Sequence, residues 1–404
     1  MIRSLLPLLA LGASAPFASN VPQDTAPSRT VQLEALSGKT TTLPLQGFRS
    51  VDPRKDGGVF VRYSGFMPPR NMWSASDPVG EIEFSSGDIV RGVLDGGSVD
   101  VLLVELLGGV RVEFSIDELA VVRFPARIAR AGGATPQAAD GGDRLYRVAA
   151  GGLDPIDGIV HGFERDGVSF ESRGNTRKYR WSDVGALFVE ALAPEVQPDE
   201  RPQVVVDMYG SSRLRGALVE LDEAGCRIAT SGNPSLFLPA NVIAEIAVDD
   251  GSYRFLSDMQ PSDSGPQSPF GDDLGMVYPH RMDQSQAGAP LRSGGRTWTR
   301  GVGVHSPSRL TWTLDGGWAE LQVAAGIDDE VLSGEHRGSV RFRVHVDGEM
   351  KFESGIVRGG DDVLKLPSID LSGARELVFE VDAATEFHVG DRADWLRPIL
   401  IRKP

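Results

Sequence analysis

Apolar residues in this chain come in short runs that alternate with polar ones, and long stretches with apolar residues at three- and four-residue spacing are missing. Alternation with period two marks half-buried strands, because successive side chains of a strand point to opposite faces. Forty-eight glycines and 26 prolines punctuate these runs throughout the chain. The pattern predicts an all-β protein.

An internal repeat occupies the middle of the chain. Ile89–Leu94, Ile156–Val160 and Leu214–Val219 are strand-like segments, each with a central glycine: Gly92, Gly158 and Gly216. At the same distance beyond each glycine, an Asp or Asn starts a tight turn that leads into an apolar strand: Asp117, Asp183 and Asn241. Val101–Leu107, Val168–Glu171 and Gly225–Thr230 supply a strand in between. This order of elements is that of a small, strongly bent five-stranded barrel of the SH3 or Sm-like type. The glycine sits where a strand must bend without a side chain crowding the interior. Three such units are expected over residues 80–127, 144–193 and 202–257. Ala131–Gly142 and Ala193–Pro202 read as linkers, and Ser257–Asp273 divides the repeats from the C-terminal third of the chain. Residues 24–78 contain strand-like fragments, such as Val31–Leu36 and Val59–Tyr63, and receive no domain assignment.

Seven motifs stand in order in the last third: Gly301–Ser306, Gly326–Glu330, Gly338–Val344, Val346–Gly348, Ser354–Gly355, Leu371–Leu377 and Gly390–Trp395. The series resembles the NPCBM family (novel putative carbohydrate-binding module), which is associated with glycosyl hydrolase family 98 and is similar in fold to galactose-binding jelly rolls. The resemblance implies a C-terminal jelly-roll β-sandwich over residues 275–404 and non-catalytic binding of a galactose-like glycan.

Charge and termini narrow the partners. The net charge of −15 repels phosphate backbones and anionic headgroups, which argues against nucleic acid and membrane surfaces but does not penalise a neutral sugar polymer. Only six of the 41 basic residues are lysines, a bias read as that of a GC-rich bacterial genome. Arg3, the apolar run Leu5–Leu11 and Ala13–Ala15 form a secretory signal peptide, placed at residues 1–18, too short to span a bilayer. Cys226, the only cysteine, allows no intrachain disulfide and no cysteine-built metal cluster. A secreted or periplasmic protein without membrane insertion is expected.

The residues of interest each admit two readings. Asp328, Asp329 and Glu330 suit a loop that hydrogen-bonds sugar hydroxyls or holds calcium through hard oxygens, or else a turn whose carboxylates cap backbone N–H groups. His305 matches the family's Gly-Val-His element and either lines the binding face or serves as a structural hydrogen-bonder. Trp395, beside Asp391 and Asp394, is either a core anchor or a site wall, whereas Trp312 in an alternating strand belongs to the core. Where family members often have histidine, this chain has Arg392. The expected ligand-binding set is therefore His305, Asp328, Asp329, Glu330, Asp391, Asp394 and Trp395, with Asp328, Asp329 and Glu330 as calcium ligands.

No nucleophile elbow, phosphate-cradling loop, His-Glu-Xaa-Xaa-His zinc motif or regular calcium loop is present in the sequence. An enzyme is the least favoured class, since glycoside hydrolysis needs two carboxylates facing each other across a groove. The competing class is a structural or protein–protein interaction scaffold that kept the fold without the sugar site, with the repeats as spacers or as contacts for a protein partner.

Overall fold

The alternation seen in the sequence becomes alternating burial in the strands: in Val79–Phe84, Ile89–Gly97 and Val101–Leu106 every second side chain enters the core. The computed structural model describes residues 29–67, 69, 73, 78–132, 135–190, 199–265, 268–269, 277–385 and 387–403. The proposed signal peptide at 1–18 lies outside the described residues. Among the described residues the only α-helix is Pro125–Ala131, and no helix is long and apolar enough to cross a membrane.

The three repeats share one strand plan. In the first, Val79–Phe84, Ile89–Gly97, Val101–Leu106 and Arg111–Ser115 pair in succession, and Leu119–Arg123 returns to pair with the first strand. The second runs through Asp143–Ala149, Gly152–Glu164, Gly167–Ser172 and Asn175–Arg180, and closes with Val184–Phe188. The third runs through Gln203–Met208, Ser212–Asp222, Gly225–Ala229 and Leu236–Pro239, and closes with Ile243–Val248. The turn before each closing strand is Ile116–Glu118, Trp181–Asp183 and the stretch 240–242.

Gly92, Gly158 and Gly216 occupy one position in this plan. Each lies where the long second strand stops pairing with the first strand and starts pairing with the third. A Cβ added at any of them would run into a carbonyl oxygen of the third strand, that of Glu105, Glu171 or Ala229. The bend therefore brings two backbones too close for any residue larger than glycine.

The barrels form one body. Closing strands Leu119–Arg123 and Val184–Phe188 pair with each other, and Arg213 opposite Ile89 links the third unit to the first. The N-terminal strands Thr30–Glu34, Thr40–Pro44 and Phe60–Ser64 extend the third barrel, because Phe60–Ser64 pairs with its closing strand. Val31, Leu33 and Val61 accordingly share a hydrophobic core with all three barrels.

The C-terminal part is a sandwich of two antiparallel sheets. One contains Arg281–Met282, Gly301–His305, Arg392–Arg402, Trp318–Ile327 and Leu364–Lys365 in that order. The other contains Asp263–Ser264, Ser308–Thr313, Glu376–Ala383, Ser339–Val346 and Glu349–Glu353. Trp312, Phe342, Phe379 and Trp395 fill the space between them. Tyr253–Phe255, which the sequence placed within the third repeat, pairs instead with Ile399–Ile401 of the sandwich. Its aromatic rings complete a small cluster with Phe60 and Ile399, where barrel meets sandwich.

Charges weld the same junction. The Arg300 side chain, 1% exposed, donates to Asp207 of the third barrel (2.8 Å) and to Asp258 (2.6 Å). Arg213 donates to the other Asp207 oxygen (2.6 Å) and to Asp283 (2.9 Å). Burial pushes the Asp207 carboxyl up, but Arg300 and Arg213 outweigh it and hold it below the usual carboxylate range. Beside this network Arg397 donates to Glu34 (2.9 Å), which also accepts from Arg62 (2.6 Å).

Replacing Gly216 with valine is expected to destabilise the barrel body by about 1–3 kcal/mol, because the added atoms must displace the backbone at Ala229. Urea titration followed by tryptophan fluorescence measures this. An unchanged midpoint would show that the strand bend tolerates a side chain.

Candidate functional site

Three neighbouring strands deliver the motif residues to one end of the sandwich. His305 lies opposite Arg392, and Ile327 opposite Ala393, so the turns beginning at Ser306, Asp328 and Asp391 emerge together. Backbone bonds from Asp328 to the Arg392 carbonyl (2.9 Å) and from Ser306 to the Asp391 carbonyl (3.2 Å) tie the turns to one another.

Most of the expected ligand-binding side chains are consumed in building this end. Asp328 is buried and accepts the N–H of Glu330 (2.8 Å) and of Arg292 (2.9 Å), capping the short 3-10 helix Asp329–Ser333. Asp391 is buried and accepts the Ser306 hydroxyl (2.5 Å) and the Ser339 N–H (2.8 Å). Asp329 accepts the N–H of Gly295 (2.9 Å), at the tip of the hairpin formed by Leu291–Ser293 and Arg296–Trp298. Glu330 accepts the Ser285 hydroxyl (3.1 Å) and lies 3.1 Å from the Arg392 guanidinium.

Two of the expected contacts are corrected by burial. Trp395 is 1% exposed, stacked on Phe379 with ring centres 4.2 Å apart, so its indole anchors the core and presents no face to a ligand. Asp394 is fully buried one position earlier, out of reach of a sugar. The expected calcium ligands Asp328, Asp329 and Glu330 are each bonded to other groups of the chain. Among the described residues no three His, Cys, Asp or Glu side chains converge as a metal cage.

His305 is buried and stacks on Tyr278, with ring centres 4.2 Å apart. Burial pushes its pKa down, opposed in part by the Ser306 carbonyl, so the ring is neutral and donates from Nδ1 to that carbonyl at 2.7 Å.

Apart from Arg392, the groups that face solvent at this end were not singled out in the sequence. Phe387 is 85% exposed and has a positive φ of 55°, and Val389 and Leu332 are exposed nearby in the chain and on the adjacent 3-10 helix. A hollow of about 430 Å³ is lined by Glu335, Arg337, Arg358 and Asp361, and it borders the Phe387 turn through the contact of Gly338 with Gly390. Periodicity cannot show that an aromatic residue in a turn points outward. The only available signal was a lone phenylalanine in the polar stretch Thr385–Gly390.

Asp394 gives this end a pH response. Burial, then the neighbouring Asp328 charge, raises its pKa well above the usual carboxylate range. Both Asp394 carboxyl oxygens are buried without a hydrogen-bond partner beside Asp328, so the neutral, protonated form is the stabilising one. With the folded pKa raised, this stabilisation is complete below the ordinary carboxylate pKa. It falls by about 1.4 kcal/mol per pH unit as pH rises towards the folded pKa, and is flat beyond it. Asp394→Asn keeps a permanent donor and should therefore melt at a higher temperature than the wild type near pH 8, with the difference shrinking towards pH 4. Thermal melts across that range check the sign, and a variant less stable at every pH would refute it.

Comparison with known proteins places this module. Residues 253–401 match the family model described as NPCBM/NEW2 domain. Alpha-1,3-galactosidase B of Akkermansia muciniphila is 31% identical over 119 residues, which is 29% of this chain and 14% of that protein. The chain thus spans only a small part of the length of this curated relative. Among solved structures, the CBM51 from Clostridium perfringens GH95 in complex with methyl-galactose has a TM-score of 0.32 and 19% identity, covering 37% of this chain and 99% of that one. The CBM51-2 and INT domains from Clostridium perfringens ZmpB, in complex with GlcNAc, have a TM-score of 0.33 and 26% identity, covering 40% of this chain and 35% of that one. Residues 253–401 of this chain are an NPCBM/NEW2 domain.

Proposed function

We propose that this chain is a secreted or periplasmic, non-catalytic carbohydrate-binding protein whose C-terminal domain takes a neutral, galactose-like glycan at its loop end. The match of residues 253–401 to a domain named for carbohydrate binding carries this reading, and the similarity to a galactosidase supports the choice of galactose. The barrels hold the module at a distance from whatever lies upstream of it and offer surface to a protein partner.

The loop end has the chemistry for the task. Guanidinium groups of Arg337 and Arg358 donate to vicinal hydroxyls, and the carboxylates of Glu335 and Asp361 accept from them. The exposed Phe387 ring covers the apolar C–H face of a sugar, as aromatic side chains do when one side of a ligand is apolar and the other wet. The buried Asp328, Asp391 and Asp394 set the positions of the turns instead of touching sugar.

Calorimetry of the full chain with methyl galactosides is expected to show a Kd between millimolar and micromolar, about −4 to −8 kcal/mol, unaffected by chelator. Phe387→Ala and Arg337→Ala should each weaken it about tenfold, or ~1.4 kcal/mol. No heat with any neutral glycan, from protein shown to be folded, would favour the scaffold reading.

A further inference from the structure

A second concavity lies between the first and third barrels, the N-terminal strands and the sandwich, and reaches the hairpin of residues 291–298 that Asp328 and Asp329 of the loop end hold through Arg292 and Gly295. It is a cleft of about 1100 Å³, and its lining includes Arg62, Arg91, Arg213 and Arg215 from the barrel side, with Arg292, Arg296, Arg300 and Arg397 from the sandwich. Asp207, Glu245, Asp258 and Asp283 are the only acidic residues in that lining among the described residues. In a chain of net charge −15, such a concentration of cations is unexpected.

Most of these arginines are occupied. Arg213 and Arg300 share Asp207 and Asp258, Arg62 and Arg397 share Glu34, Arg91 pairs with Glu81, and Arg215 pairs with Asp88. Arg292 and Arg296 pair with no carboxylate of the described residues and lie on an exposed hairpin that lines the cleft, Arg296 next to its tip. The Arg296 guanidinium carbon lies over the Trp298 ring, 4.1 Å from its centre, a cation–π contact that holds the charge at the cleft. Arg397 holds Nε buried without a hydrogen-bond acceptor, and its Nη2 meets only the Glu245 carboxylate, at 3.5 Å.

The backbone adds an independent sign. Six non-glycine residues among those described have positive φ, and three of them, Ser211, Asp283 and Arg397, line this cleft. Such conformations cost energy and persist where the surrounding structure has a use for them.

We propose that this cleft binds the acidic group of a short saccharide, a carboxylate or a sulfate ester, with Arg296 and Arg292 as the charged contacts and Trp298 as the wall behind them. A planar guanidinium meets either oxyanion with two parallel N–H bonds. Thr297 and Thr299, which also line the cleft, face the hydroxyls of the same ligand. Carboxylates paired along its walls disfavour a polyanion with a charge on every unit, so a ligand with one or a few acidic groups fits better than nucleic acid. The site adjoins the loop end through the hairpin that Asp328 and Asp329 hold, but its contacts differ from the Arg337, Arg358 and Phe387 groups proposed for a galactoside.

The test uses the full chain, with galacturonic acid and galactose 6-sulfate as the two acidic probes and galactose as the neutral control, read by calorimetry and by Trp fluorescence. At least one acidic probe should bind at least tenfold more tightly than galactose, weaken several-fold between about 50 and about 200 mM salt, and resist displacement by excess galactose. Comparing the two probes shows which oxyanion is preferred. Arg296→Ala should weaken that binding at least tenfold with an unchanged melting curve, Arg296→Lys should restore part of it, and Arg292→Ala should have a smaller effect. The proposal is overturned if neither acidic probe outcompetes galactose, if Arg296→Ala binds as the wild type does, or if a short DNA duplex binds more tightly than either probe.

Discussion

Arg300 is the charge on which the arrangement of the molecule turns. It comes from the sandwich, is almost fully buried, and meets Asp207 of the third barrel and Asp258 of the connecting segment. A buried guanidinium without carboxylate partners would be strongly destabilising, and so would Asp207 without Arg213 and Arg300. The desolvated charges therefore accept only a relative placement of barrel and sandwich that brings all of them within hydrogen-bonding distance. Phe255, on which Arg300 stacks at 4.6 Å, adds apolar contact at the same point. The cleft above this joint has a fixed shape because its floor is this network.

Behind the joint, the barrels are held together by repetition of one bend. The long second strand of each unit leaves one partner for another at a glycine, and the approach of the third strand's carbonyl excludes a side chain there. Pairing between the closing strands of the first two units, and between the N-terminal strands and the third, then merges small cores into one. A five-stranded barrel alone buries little apolar surface, so sharing a core offsets the weakness of small units.

At the loop end of the sandwich, buried acids act on backbone. Asp328 accepts from its own turn and from Arg292, Asp391 accepts from Ser306 and Ser339, and burial, then the neighbouring Asp328 charge, raises the pKa of Asp394. Acidic residues that are close in sequence thus divide between framework and surface according to burial. Only the exposed or half-exposed ones reach solvent, as do Phe387 and the arginines of the adjoining hollow.

The sequence by itself determined the all-β class, the three five-stranded units with their bend glycines, and the sandwich motifs, because period-two burial and the exclusion of a Cβ from a tight bend are local properties. It also left the two readings of Asp328 and Trp395 open, and packing alone separated them: Trp395 lies between two sheets, and Asp328 faces the backbone of Arg292, far away in the chain. Tyr253–Phe255 looked like a continuation of the third barrel, yet the hydrogen bonds it needed were offered by the last strand of the sandwich. The outward ring of Phe387 and the arginine cleft could be found only in three dimensions. Exposure depends on what the rest of the chain covers, and the cleft collects residues from the N-terminal strands, the first and third barrels and the sandwich, which share no pattern in sequence.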